Sequence, residues 1–249
     1  EKSGLVEKIG MVFSENKISG IMLIFSLTFI SMALTELMSN VALVTIFVPV
    51  VFGIAEGADI NPIFFELDGT FPNHEANPID PKNLVDLQKL VRKTNSDIGL
   101  AFDGDADRCF LIDERGELVS PSALTALIAK RELAANPGST VIYNLICSKA
   151  VRETIEESGG IPLRSRVGHS FVKKSMAESG AIFGGEHSGH FYFKDFWRAD
   201  SGMLAALHAI AALLDNNLSL SELLRPFNRY AISGEINTKV KDQQLAMEK

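Results

Sequence analysis

Hydrophobic and polar positions divide the chain sharply near residue 60. Before that point, residues 18–35 and 37–55 are charge-free apolar runs of 18 and 19 residues, with Glu36 alone between them. Both are apolar all round rather than along one stripe. Each approaches the ~20 residues that a helix needs to cross a ~30 Å hydrocarbon core. The pattern predicts an apolar helical hairpin of membrane type over residues 1–62. Beyond it the periodicities are those of a globular protein. The stretch "FFELDGTFPNHEANPIDP" crowds Pro, Asn and Asp, which predicts a strand end at Phe64 and then a long loop. "KNLVDLQKLVRKT" repeats apolar residues at helical spacing, and "IGLAF" and "CFLID" are short buried strands.

The remainder alternates. Ser120 and Pro121 begin a helix that reaches about Ala135, "TVIYNLI" is a strand, and Ser148 caps a helix that Gly159 and Gly160 end. "IPLRSR" is a strand, Ser170 opens a short helix closed by Gly180, and "AIFG" and "HFYF" are strands flanking the loop "GEHSGH". Asp200 and Ser201 begin a last helix, to about Leu214. Strands alternating with helices predict a layered, mixed α/β domain after the apolar hairpin.

Charge narrows the choice of partners. A net charge of −7 with no basic stripe excludes nucleic acid. A membrane is an expected partner only through residues 18–55. The apolar start is too long for a signal peptide and has no small-residue cleavage site. Cys109 and Cys147 lie in apolar runs and read as buried free thiols of a reducing compartment.

The chemistry concentrates in "AFDGDADRCF". In an extended segment, alternate residues share a face, so Asp103, Asp105 and Asp107 can aim three hard oxygens at one point. Such oxygens suit Mg2+ or Ca2+. Arg108 follows where a guanidinium can clamp a phosphate. A calcium loop of EF-hand type also begins D-x-D-x-D and would use Glu114 at its twelfth position. It needs Gly at the sixth, however, where Arg108 stands. Two further loops are polar. "RVGHSFVKK" sets His169 and Ser170 at a helix start with Lys173 and Lys174 a turn later, an arrangement that can bind an anion. "GGEHSGH" sets Glu186, His187, Ser188 and His190 among small residues that let a polyol approach. Its spacing does not match the helical H-E-x-x-H zinc pattern.

Taken together, "FELDGTFPNHEANP", "AFDGDADRCF", "RVGHSFVK" and "GEHSGH", in that order, resemble the α-D-phosphohexomutase family, especially its phosphomannomutase/phosphoglucomutase members. The resemblance implies Mg2+ bound by Asp103, Asp105 and Asp107, and sugar hydroxyls recognised by Glu186 and Ser188. It makes Arg108 and His169 the candidates for phosphate contact or proton transfer. Lys173 joins the substrate-binding set. The implied partner is a mannose or glucose 1- or 6-phosphate, whose phosphoryl group moves between the two positions by way of a phosphoserine. It implies the end of a second domain over 63–114, a sugar-binding third domain over 115–226, and a linker into a fourth over 227–249. The globular part is expected in the cytoplasm. No Thr-Ala-Ser-His-Asn-Pro-like loop for the phosphoserine occurs in the sequence, and Ile146 stands where many members have Lys. The expectation is therefore a partial enzyme, inactive alone.

"ALTELMSNVALVTIFVPVV" resembles a hairpin of the divalent-anion/sodium symporter family, with Ser39 and Asn40 at its tip. It implies a fragment of a sodium-coupled dicarboxylate transporter, or a membrane tether for a non-catalytic sugar-phosphate binder. The chain reads as two incomplete pieces joined near residues 61–64.

Overall fold

The computed structural model describes residues 59–66 and 68–231. The expected hairpin, with Ser39 and Asn40, lies outside the described residues. So does most of the expected fourth-domain linker. Among the described residues, no helix is long and apolar enough to cross a membrane.

Residues 59–66 and 68–80 contain no strand, so the strand end expected at Phe64 is absent. Phe64 takes φ 56°, a left-handed conformation that a β-ladder does not accommodate. Asp80 accepts a bond from the Lys82 amide and Pro81 opens a 3-10 turn, Pro81–Leu84. Helix α1 (Val85–Thr94) continues from it and stops at left-handed Asn95, whose N–H bonds the Val91 carbonyl. Strands β1 (Ile98–Phe102) and β2 (Cys109–Asp113) form an antiparallel ribbon with Phe102 opposite Cys109. The aspartate loop is the connection of this ribbon.

Helix α2 (Pro121–Ala135) follows, with Pro at its first turn. The expected side-chain cap from Ser120 is not made; the Ser120 carbonyl instead accepts from Ala123 and Leu124. Helix α2 is buried on most of its circumference, which its nearly continuous apolar sequence permits. Then come β3 (Thr140–Asn144), α3 (Lys149–Glu157), β4 (Ile161–Ser165), α4 (His169–Ser179), β5 (Phe183–Gly185), β6 (Phe191–Phe193), β7 (Ala199–Asp200), α5 (Gly202–Leu214) and α6 (Leu220–Leu224). The sheet order is β4-β3-β5-β6-β7. Strands β4, β3 and β5 are parallel, and β6 and β7 are antiparallel additions. Val141 and Ile142 of β3, the middle of the three parallel strands, are wholly buried, as expected where helices cover both faces. Phe183 and Phe191 join Leu124, Ile128, Ala205 and Ala209 in the main core.

Three helix starts set the polar loops. Ser148 caps α3 by accepting from the Ala150 amide at 3.3 Å. Helix α4 begins at His169 rather than Ser170, because Gly168, at φ 124°, makes the turn that enters it. Ser201 caps α5 through the Leu204 amide. Strand β7 and helix α6, the latter closed by a Ser219–Glu222 capping box, are too short to show a period in the sequence. The carboxyl ends of β3, β4 and β5 deliver Asn144, the 166–168 turn and Glu186 to one edge, where open α/β sheets bind ligands.

Candidate metal and sugar-phosphate site

The aspartate loop meets the expectation by a different route. Residues 104–106 turn instead of extending, with Ala106 at φ 57° and its amide bonded to the Asp103 carbonyl. The turn brings one oxygen each from Asp103, Asp105 and Asp107 within 4.8 Å of one another. Its seat is the start of α5. The Gly202 amide donates to the Ala106 carbonyl at 3.0 Å, and a Cβ on Gly202 would lie 2.5 Å from the Arg108 carbonyl oxygen. On its far side the Cys109 amide donates to the Gly189 carbonyl at 3.1 Å, tying the ribbon to "GEHSGH".

Arg108 turns back onto the trio. Its Nε donates to Asp103 Oδ2 at 2.5 Å and Nη1 donates to Asn77 Oδ1 at 3.1 Å. Burial raises the Asp103 carboxyl above the ordinary range, against the opposing pull of Arg108. At Asp107 burial acts the same way, but nearby His190, Asp103 and His169 outweigh it and hold the carboxyl below the ordinary range. Asp107 Oδ1 is buried without a hydrogen-bond partner. Three converging carboxylates, one of which carries a buried oxygen without a partner, fit Mg2+ held by Asp103, Asp105 and Asp107. The EF-hand alternative fails on Glu114, whose two oxygens accept from the Ser221 hydroxyl and amide at the start of α6.

Across from the trio stand His169 and His190, with ring centroids 4.3 Å apart and edge to face. Asp200, at the end of β7, organises this side. One oxygen pairs with His169 Nδ1 at 2.8 Å and the other with Lys173 Nζ at 2.9 Å. Lys173 thus joins the site, whereas Lys174 lies outward near Glu178. Ser188 Oγ meets His190 Nδ1 at 2.9 Å. His187 turns the other way, to Ser122 Oγ at 2.9 Å, and burial lowers its pKa.

Glu186 occupies a different position from the one its loop suggested. It is 1% exposed and accepts from the Tyr192 hydroxyl (2.8 Å), Asn144 Nδ2 (3.2 Å) and the Gly168 amide (3.1 Å). In this geometry it braces the turn that starts α4 and so positions His169. Burial, then the charge of Glu186, pushes the Tyr192 phenol well above its usual value. Neither thiol is activated: burial raises Cys109 above the usual range and pushes Cys147 up to about 12.

The structure therefore gathers Asp103, Asp105, Asp107, Arg108, His169, Lys173 and Ser188 around one space, with Glu186 behind them. Sequence reasoning missed Asn77, Asn144, Asp200 and the part played by His190. For His190 and Tyr192 a signal existed, since alternate residues entering β6 share a face. In the sequence Asp200 reads only as a helix start.

Residues 45–116 match the family description "Phosphoglucomutase/phosphomannomutase, alpha/beta/alpha domain II", and residues 120–230 match "alpha/beta/alpha domain III" of the same family. The first match begins inside the apolar run of residues 37–55. A phosphomannomutase of Methanocaldococcus jannaschii is 46% identical over 182 residues, covering 73% of this chain and 40% of that protein. A phosphomannomutase/phosphoglucomutase of Pseudomonas putida is 38% identical over 190 residues, covering 76% and 41%. The crystal structure of a phosphoglucomutase/phosphomannomutase family protein from Burkholderia thailandensis superposes with a TM-score of 0.70 at 34% identity, over 76% of this chain and 41% of that one. The chain spans about two fifths of the length of these curated relatives.

Proposed function

The chain belongs to the phosphoglucomutase/phosphomannomutase family of α-D-phosphohexomutases, and from that premise we propose that it supplies the metal-binding and sugar-binding half of a phosphohexomutase. The substrate class is a hexose 1- or 6-phosphate. In this reading residues 63–114 close the second domain, 115–226 form the third, and 227–249 lead toward a fourth. Turnover belongs to the assembly that also presents the phosphoserine.

The observation that carries the reading is the meeting of three carboxylates with Arg108, Lys173 and the His169–His190 pair in one space. Asp103, Asp105 and Asp107 would hold Mg2+, which would neutralise charge on phosphoryl oxygens. The chain's own residues do the rest. Arg108 exchanges its bond to Asp103 for a phosphate oxygen, a bidentate partner suited to a guanidinium. Asp200 keeps His169 in one tautomer and orientation, so that its other ring nitrogen can hold or pass a proton beside the sugar. Lys173 adds a positive charge on the same side. Ser188 contacts a sugar hydroxyl, and Glu186 supports the site from behind by holding the turn that starts α4.

Calorimetric titration of the chain with mannose 1-phosphate and glucose 1-phosphate tests this. Binding is expected with Mg2+ and not without it. Asp105→Asn is expected to abolish the Mg2+ effect and leave stability intact, because Asp105 is exposed and takes no part in the core. Sugar phosphate bound equally well with and without Mg2+, or not bound by the folded chain, would refute the reading.

A further inference from the structure

We propose that Asn77, in the loop "FPNHEANP", is a positioning residue: it anchors the Arg108 guanidinium while the other edge of that group exchanges Asp103 for phosphate. This deepens the sugar-phosphate reading and rests on it for the identity of the anion. A guanidinium carries five N–H donors in a rigid planar fork. Arg108 Nε donates to Asp103 Oδ2, and Nη1, on the opposite side of the fork, donates to Asn77 Oδ1 at 3.1 Å. Nη2 makes no hydrogen bond among the described residues. Nε and Nη2 together form an edge that can grip two oxygens at once, so Asn77 takes the donor group that a bidentate phosphate does not need. When that edge leaves Asp103, the bond to Asn77 still fixes the plane of the guanidinium.

Asn77 is itself held firmly. Its carbonyl accepts from the side chain of buried Asn83 at 2.8 Å and from the Asp80 amide at 3.3 Å, and its own amide donates to the Glu75 carbonyl at 2.8 Å. Asn83 stands in the Pro81–Leu84 turn that leads into α1. Pro78 follows Asn77 and is buried, and a residue before proline is confined largely to extended backbone. The same loop packs on the aspartate turn, since a Cβ on Gly104 would lie 3.7 Å from both Ala76 Cβ and Phe71 Cζ. The line Asn83–Asn77–Arg108–Asp103 therefore ties the start of α1 to the metal trio. A guanidinium has no acceptor, so only the oxygen of the Asn77 amide can face it. An aspartate would offer an oxygen of the same reach, whereas alanine and serine would not.

The test reads the Arg108 Nε–H by 15N NMR in the full chain without ligand, with Arg108→Lys identifying the signal. Asn77→Ala and Asn77→Ser are each expected to speed its exchange with water by about tenfold, and Asn77→Asp to leave it within about twofold. The Arg108 backbone amide, which donates to Asp103 Oδ1 at 3.1 Å, is the internal control and should exchange as before. In calorimetric titrations with mannose 1-phosphate and Mg2+, Asn77→Ala should weaken binding by about tenfold and Asn77→Asp should restore it to within about threefold. A role confined to folding the loop would move the backbone amide together with Nε–H. Unchanged Nε–H exchange in both the alanine and serine variants, equal acceleration of the backbone amide, or no rescue by Asn77→Asp overturns the proposal. If the unaltered chain binds no mannose 1-phosphate, the sugar-phosphate reading fails, and the exchange measurement still decides whether Asn77 holds Arg108.

Discussion

Removing one oxygen atom probes the brace behind the site. In Tyr192→Phe the ring keeps its buried place beside Ile142, Val172 and Met176, so packing is little changed. What goes is the hydroxyl that donates to Glu186 Oε2 at 2.8 Å. Glu186 is 1% exposed, so water cannot replace the lost donor. His190 Nδ1 is 3.7 Å from the same oxygen and is already engaged by Ser188. A hydrogen bond to a buried charged acceptor contributes roughly 1.5–3 kcal/mol, so a loss of about 2 kcal/mol is expected. Urea unfolding at neutral pH should show a lower midpoint at unchanged slope, by about 1 M for a slope near 2 kcal/mol/M. The same exchange in a Glu186→Gln background should cost clearly less, since the acceptor is then neutral. A loss below about 0.5 kcal/mol, or an equal loss in both backgrounds, would show that the hydroxyl does not serve a buried carboxylate.

Two further predictions concern stability. Burial, with Arg131 adding to it, brings His208 down to about 4 from its usual 6.5, and its ring stacks on Phe193 at an interplanar angle of 8°. The unfolded chain binds that proton first as pH falls. The stabilisation is therefore complete above pH 6.5 and is lost between 6.5 and about 4, by up to about 3 kcal/mol less whatever Glu132, 3.4 Å away, returns. His208→Gln should flatten stability across that window in acid-unfolding curves, and an unchanged slope would refute the assignment. Gly185→Ala should cost about 2–3 kcal/mol by thermal melting, because its Cβ would lie 2.3 Å from Thr125 Cγ2. Thr125→Ala should recover part of that loss. A neutral Gly185→Ala would mean that α2 and β5 are not so closely packed.

How legible each feature was in the sequence depends on how far apart its determinants lie. Elements with a full period or an explicit stop were readable: α2 from Pro121, α3 between Ser148 and the glycine pair, α4 up to Gly180. Elements without a period were not, and β7 has only two residues. Phe64 shows the opposite error, an apolar residue that reads as a strand end but sits at φ 56°. The apolar runs before it illustrate another limit. A long uncharged stretch satisfies the length rule for a lipid-spanning helix, yet periodicity alone does not separate that from buried segments of a globular core. The match of residues 45–116 to a globular domain begins within such a run. At the site, the loops that carry several polar residues within one short window were visible. Asn77 and Asp200 were not, because they meet Arg108 and His169 across 31 residues of chain in each case.

The aspartate trio converges for a reason that strand alternation does not supply. Strand alternation predicts a shared face, and any D-x-D-x-D in a strand would satisfy it. The loop converges instead because it closes: Ala106 accepts a left-handed φ, its amide returns to Asp103, and Gly202 has no side chain to push the loop away. Closure turns Asp107 inward, where its Oδ1 loses water without gaining a hydrogen bond, and leaves Asp105 exposed. An extended trio would have presented three comparable ligands to solvent. The folded trio instead presents an exposed carboxylate, Asp105, a buried one held by Arg108, and a part-buried one facing two histidines. That asymmetry leaves Asp105 outermost, while Asp103 and Asp107 are engaged by neighbouring side chains. It arises from the seat on Gly202, about a hundred residues downstream of the motif.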